Sequence, residues 1–333
     1  MKPTIKDVAK AANVSIATVS RVLNGLPGFS VETEKRVLEA IQSLGYQPNA
    51  VARGLINKRT QTIGVLVPQV SSVLASEILN GIENAAHECN YSVIVCNTDQ
   101  NGKRTTKYLQ LLREKQVDGV IFACDVSVDQ YYQDLSALDV PVVLINTFSN
   151  YPFPYIKVDD RQAAYQGVAY LIQNGHRRIA MISGNPEDPV AGYPRIEGYK
   201  QALKIHDIPF NEEYLVYGDF RYDSAISATE QLLDQHPEIT AIFAASDEMA
   251  IGALAVAYQR GIKVPEQISV VGFDNTKSAE MAIPPLTTVA QPLTELGRQA
   301  CDMLLHMIQT GKTVHSRILP HQLIERNTVR TLL

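Results

Sequence analysis

Apolar positions in the first 45 residues recur at helical rather than strand spacing. Val8, Ala9 and Ala12 share one face, Val19, Val22 and Leu23 a second, and Val37, Ala40, Ile41 and Leu44 a third. Each group follows a residue suited to capping: Thr4 (with Asp7 three positions on), Ser15 and Ser30. Asn13-Val14 interrupts the first group, the second runs through Asn24, and Gly45 ends the third. The pattern predicts three short helices, the first two joined by a tight turn. In such a helix-turn-helix the second helix presents its N-terminal residues to base edges in the DNA major groove. Ile16, Ala17, Ser20, Arg21 and Asn24 fall on its outward side.

From Thr62 the periodicity changes to short apolar runs alternating with longer amphipathic stretches. T-I-G-V-L-V (62–67), Y-S-V-I-V-C (91–96), D-G-V-I-F-A (118–123) and V-P-V-V-L-I (140–145) read as strands. Helices are predicted over 76–89, near 103–116 and near 128–138. The rhythm repeats with strands at 178–183, 214–217, 240–245 and 268–273, and a helix over 292–310 closes it. This βαβα order predicts parallel sheets with helices on both faces. Its repetition over about 270 residues points to two similar lobes rather than one barrel.

Open α/β sheets bind ligands beyond the carboxyl ends of their strands. Those positions hold Asn146, Gly184 with Arg195 opening the next helix, Asp219-Phe220, Ser246-Asp247 and Asp274-Asn275. Carboxylates and guanidiniums can each engage two hydroxyls, and an aromatic face covers the apolar side of a sugar ring. The same groups also cap turns at strand ends, and Asp247 is expected to do so as the N-cap of the helix E-M-A-I-G-A.

The chain has 333 residues, more than one average domain, and 45% of them are hydrophobic. A net charge of −5 would argue against a nucleic-acid partner were it evenly spread. It is not: residues 1–60 carry +5 and the remainder −10, a basic head on an acidic body. Cys89, Cys96, Cys124 and Cys301 lack C-x-x-C spacing and read as reduced thiols in a cytoplasm. No apolar h-region opens the chain and no run approaches about 18 apolar residues, so neither export nor a membrane span is expected. No metal, cofactor or catalytic site is expected. Gly311-Lys312-Thr313 resembles the end of a P-loop, but His306 stands where the first glycine belongs, and G-x-S-x-G and H-E-x-x-H are absent. His306, His315 and His321 lack metal-site spacing.

T-I-K-D-V-A-K-A-A-N-V-S-I-A-T-V-S-R-V-L-N followed by Y-Q-P-N-A-V-A-R-G-L resembles the head of the lactose-repressor/galactose-repressor family of bacterial regulators. The similarity covers the chain, since D-G-V-I-F, S-D-E-M-A-I-G-A, V-V-G-F-D-N-T and P-P-L-T-T-V recur later in family order. It implies a helix-turn-helix domain over 1–47 and a hinge helix and linker over 48–60. A two-lobed, periplasmic-binding-protein-like body over 61–333 would then bind effector and dimerise. The chain is expected to cross between lobes near 146–150, 275–278 and 290–292.

The resemblance also implies residue roles. Ile16 and Ala17 set base preference by packing on thymine methyls, with Ser20, Arg21 and Asn24 adding polar contacts and Arg21 suited to guanine. Thr4, Ser30, Thr33, Tyr46 and Asn49 match phosphate-contacting positions. Leu55 would wedge into the central base step from a hinge that also contains Arg53. Arg195, Phe220, Ser246, Asp274 and Gln291 fall on effector-cleft positions, to which Asn146 is added from its place after a strand. Ser71-Ser72-Val73-Leu74 replaces the paired phenylalanines of many relatives, so one cleft wall is expected to be less aromatic.

The expected partners are an operator duplex, a sugar-like effector and a second copy of the chain. Some relatives answer instead to a phosphorylated carrier protein, and N-T-D-Q-N (97–101) resembles those members. Asp302 stands where they present an arginine, which favours a small-molecule effector.

Overall fold

The computed structural model describes residues 3–23, 25–46, 59–99, 102–124 and 127–332. It divides into two compact units, Met1–Gln61 and Thr62–Leu333. In the first, helices α1 (Ile5–Ala11), α2 (Ile16–Leu23) and α3 (Val31–Leu44) enclose Val8, Ala9, Ala12, Val19, Val22, Val37 and Ala40. The caps fall where the sequence places them. Ser15 and Ser30 accept the backbone N–H groups of Thr18 and Thr33, and Gly45 closes α3 in the left-handed conformation at φ 60°. Leu44, expected in the buried stripe, is instead 38% exposed in the last turn of α3. Asn24 and the hinge (including Asn49, Arg53 and Leu55) lie outside the described residues.

The second unit holds two six-stranded sheets. Lobe one contains β1 (Thr62–Val67), β2 (Ser92–Asn97), β3 (Gly119–Phe122), β4 (Val142–Ile145), β5 (Tyr155–Val158) and β11 (Arg317–Leu319). Its order is β11-β5-β4-β3-β1-β2, all parallel, with Val65 paired to Val95 on one side and Ile121 on the other. Ile63, Val65 and Val67 point to α4 (Val73–Glu88) and α12 (Leu293–Thr310), while Leu66 faces α5 (Thr105–Glu114) and α6 (Tyr132–Ser136).

Lobe two contains β6 (Ile179–Ser183), β7 (Leu215–Tyr217), β8 (Ala241–Ala244), β9 (Ser269–Asp274), β10 (Thr287–Ala290) and β12 (Gln322–Ile324). The order is β12-β10-β9-β8-β6-β7, parallel except for β12, which runs antiparallel at its edge. Helices α7 (Asp160–Gln173), α8 (Gly192–Ile205), α9 (Tyr222–Gln235), α10 (Asp247–Gln259) and α11 (Lys277–Met281) belong to this lobe.

The chain passes between lobes at Asp159, at Gln291-Pro292 and at Pro320-His321. Only the crossing expected near 290–292 is where the sequence reading puts it. The one expected near 146–150 comes later, because β5 returns the chain to the first sheet. The stretch 275–278 does not cross, because β9, α11 and β10 all stay in lobe two.

In lobe one α4 and α12 meet backbone to backbone. A Cβ added to Gly81 would lie 2.0 Å from the Thr294 carbonyl oxygen, and one on Gly297 would lie 2.1 Å from that of Ile78. Gly81→Ala must push the helices apart and is expected to destabilise the body by about 1–3 kcal/mol in urea unfolding. An unchanged midpoint would show that this crossing does not need a bare backbone.

Candidate functional site

On the first unit, α2 turns a small, mostly apolar tip outward. Ile16 is 44% exposed and Ala17 and Arg21 are exposed beside it, while Ser20 is partly covered. The Arg21 guanidinium donates through Nε and Nη2 to the Pro27 carbonyl at 3.0 and 2.7 Å. A guanine contact therefore requires Arg21 to let go of Pro27. Ser30 and Thr33 sit at the N-terminus of α3 with their hydroxyls 3.0 Å apart, an end suited to a phosphate. Thr4 is less open: its N–H and Oγ1–H both donate to Asp7 Oδ2, at 2.8 and 2.7 Å, and these bonds hold the Asp7 carboxyl below its usual range. Tyr46 is half-buried against the helical core.

On the second unit, a cavity of about 430 Å³ opens between the lobes at the carboxyl ends of the strands. Asn146, Arg195, Phe220, Ser246, Asp274 and Gln291 all line it. Three of them hold left-handed backbone: Asn146 at φ 50°, Phe220 at 67° and Asp274 at 113°. Non-glycine residues rarely persist there unless the surroundings enforce it, and such positions cluster at functional sites. The Phe220 ring lies against Gly184, where an added Cβ would come within 2.1 Å of it, so residue 184 must lack a side chain.

Behind this surface stands a buried ion network. Arg195 donates through Nε and Nη2 to Asp160 Oδ1 at 3.0 and 2.8 Å, and through Nη1 to the Ala245 carbonyl at 2.5 Å. Lys157 Nζ reaches Asp160 Oδ2 at 2.9 Å. The guanidinium carbon lies 3.7 Å from the Phe273 ring centroid and 5.6 Å from that of Phe220. Asp274 Oδ1 accepts the Gln291 amide at 2.7 Å. Asn146 Oδ1 is buried with no hydrogen-bond partner among the described residues, as a group awaiting a ligand would be.

One expectation needs correction. Ser246, not Asp247, caps α10, accepting the Met249 N–H at 3.1 Å and donating to the Phe220 carbonyl at 2.9 Å. The Ser246 hydroxyl is thus already engaged at the cavity edge. Asp247 turns inward and accepts from the Thr276 N–H, the Thr276 hydroxyl and the Thr288 hydroxyl at 2.7, 3.0 and 2.6 Å. The sequence reading also missed Asp160, which follows a strand masked by the prolines before it, and Arg221, which donates to Gln69 Oε1 across the cavity mouth. The lobe-one wall is aliphatic, with Val67, Leu74, Ala75 and Ile78 in place of aromatics.

Residues 4–49 match the family of bacterial regulatory proteins, lacI family, and residues 60–327 match periplasmic binding proteins and the sugar binding domain of the LacI family. The chain is 42% identical over 333 residues to catabolite control protein A of Priestia megaterium, covering 99% of this chain and 100% of that one. A lac repressor dimer bound to operator and the anti-inducer ONPF superposes with a TM-score of 0.90 at 30% identity, over 99% of this chain and 100% of that chain. A transcriptional regulator CelR–cellobiose complex gives 0.74 at 34% identity, over 98% and 99%.

Burial, only partly offset by Arg195 and further reinforced by Asp247, raises the Asp274 carboxyl above the ordinary aspartate range. A raised acid favours folding fully below its unfolded value, about pH 4, and that contribution is lost as pH rises through the elevated value. Asp274→Asn should therefore flatten the fall of melting temperature with rising pH. A slope equal to that of the parent would mean that Asp274 ionises without cost.

Proposed function

The chain belongs to the LacI family, whose members are DNA-binding transcriptional regulators and not enzymes, and on that premise we propose a repressor controlled by a sugar-like effector. What carries this is convergence: six residues from four strand ends, one helix and one crossing meet in a single cavity between lobes. Two copies would read a pseudo-palindromic operator through α2, with Ile16 and Ala17 on thymine methyls and Arg21 on guanine. Thr4, Ser30, Thr33, Tyr46 and Asn49 would fix register on phosphates, as Arg53 and Leu55 engage the minor groove. Met281 and Ile283, 71% and 94% exposed, offer apolar surface of the kind a partner copy buries.

Effector would bind Asn146, Arg195, Phe220, Ser246, Asp274 and Gln291 and bias the lobes toward one arrangement. Operator affinity then changes only by the ligand's preference between the two arrangements. The similar structures bound to ONPF and to cellobiose support a sugar-like ligand. A second reading, a catabolite-control regulator answering to a phosphorylated carrier protein, is favoured by the 42% identity to catabolite control protein A. Against it, Asp302 is exposed on α12, within 4.0 Å of Arg298, where an arginine would serve a phosphoprotein.

The purified protein should retard an operator selected from random duplexes, and a sugar should shift both that retardation and the melting temperature. Response to a phosphorylated carrier protein with none to sugars would replace the first reading by the second. Leu55→Ala should weaken operator binding and reduce bending in a circular-permutation gel assay. An undiminished bend removes the wedge.

A further inference from the structure

On the footing that the cavity is the effector site, we propose that it selects an uncharged polyhydroxy ligand over its phosphate ester. Asp160 is the positioning residue that sets this selectivity.

The cavity wall carries the carboxylates of Asp160, Asp188, Asp219 and Glu248 against the guanidiniums of Arg195 and Arg221. Both guanidiniums are already engaged. Asp160 holds Arg195 by two charge-assisted bonds while Ala245 takes a third, and Arg221 donates to Gln69. Lys157, just behind the wall, is held by the second oxygen of Asp160. One carboxylate thus occupies the two cations best placed to receive an anion.

The hydrogen-bonding groups point the same way. Gln291 gives an amide N–H to Asp274, and the Ser246 hydroxyl donates to the Phe220 carbonyl, so these donors are already used. Asn146 Oδ1 remains a buried acceptor without a partner among the described residues. A site richer in acceptors than in donors fits hydroxyls, which donate. A phosphate ester dianion only accepts, and it would face the surrounding carboxylates in a partly desolvated cleft.

The test uses the full-length protein and its Asp160→Asn variant. Calorimetry and thermal shift are measured with inorganic phosphate, glucose, glucose 6-phosphate, ribose, ribose 5-phosphate and cellobiose. The parent should show no saturable response to phosphate and should bind each ester at least about tenfold more weakly than its sugar. Asp160→Asn should release Arg195 and Lys157, gain a saturable phosphate response and lower the ester-to-sugar Kd ratio by about tenfold. Adding Arg195→Gln should abolish the gain, placing it in the cavity. A purely structural role for Asp160 would weaken all ligands together and leave the ratio unmoved.

Should Asp160→Asn fail to fold, Glu248→Gln at the mouth is expected to lower the same ratio several-fold, and no change there counts against the proposal. An ester bound by the parent as tightly as its sugar overturns it, as does a folded Asp160→Asn variant without the phosphate gain. Silence of the parent toward every sugar overturns the effector reading itself, while the phosphate arm still decides the role of Asp160.

Discussion

The joint between the lobes depends on a carboxylate buried between two cations. Asp160 stands one residue past the first crossing and binds Lys157, on the strand before it, and Arg195, from the next helix. Removing one partner from such a network typically costs about 3–5 kcal/mol, because the remaining charge stays buried and unpaired. Arg195 also ties the end of β8 through Ala245 and sits over the Phe273 ring of β9. One side chain thus fixes the relative positions of three strand ends. The lobe-two wall of the cavity is therefore set before any ligand arrives, which lowers the ordering cost of binding.

Much of this architecture was legible in the chain. β1 to β4 and β6 to β9 are continuous apolar runs, and the residues that follow them converge as strand-end logic requires. What escaped were strands without such runs. β5 follows Y-P-F-P, whose prolines read as loop, and β10 begins with two buried threonines. Their hydroxyls are satisfied by partners distant in sequence: Thr287 accepts from the Arg326 N–H, and Thr288 donates to Asp247. β11 and β12 have three residues each, too few for a period. Missing β5 misplaced the first crossing and hid Asp160, since no strand end pointed to it. The Asp160–Arg195 pairing spans 35 positions and leaves no local signature.

Contacts that cross the cavity mouth differ in kind from those behind it. Gln69 accepts from Arg221, and Glu77 accepts the Lys277 N–H at 3.0 Å, both near solvent. Such bonds are worth about 1 kcal/mol each, against the larger cost of breaking the buried network. The lobes are thus tied firmly at the crossings and lightly at the rim.

The path of the chain has a consequence for biosynthesis. Lobe one takes its first five strands from residues 62–158, but α12 and β11 arrive only after most of lobe two has been made. Gly81 and the apolar face of α4 wait for Thr294 and Leu296 on a helix more than 200 positions downstream. Until then lobe one exposes a long apolar seam to the crowded interior of the cell, while the compact N-terminal unit needs nothing later than residue 61. Lobe one can complete its fold only once the C-terminal third of the chain has been made, whereas the small unit draws its core from the first 45 residues.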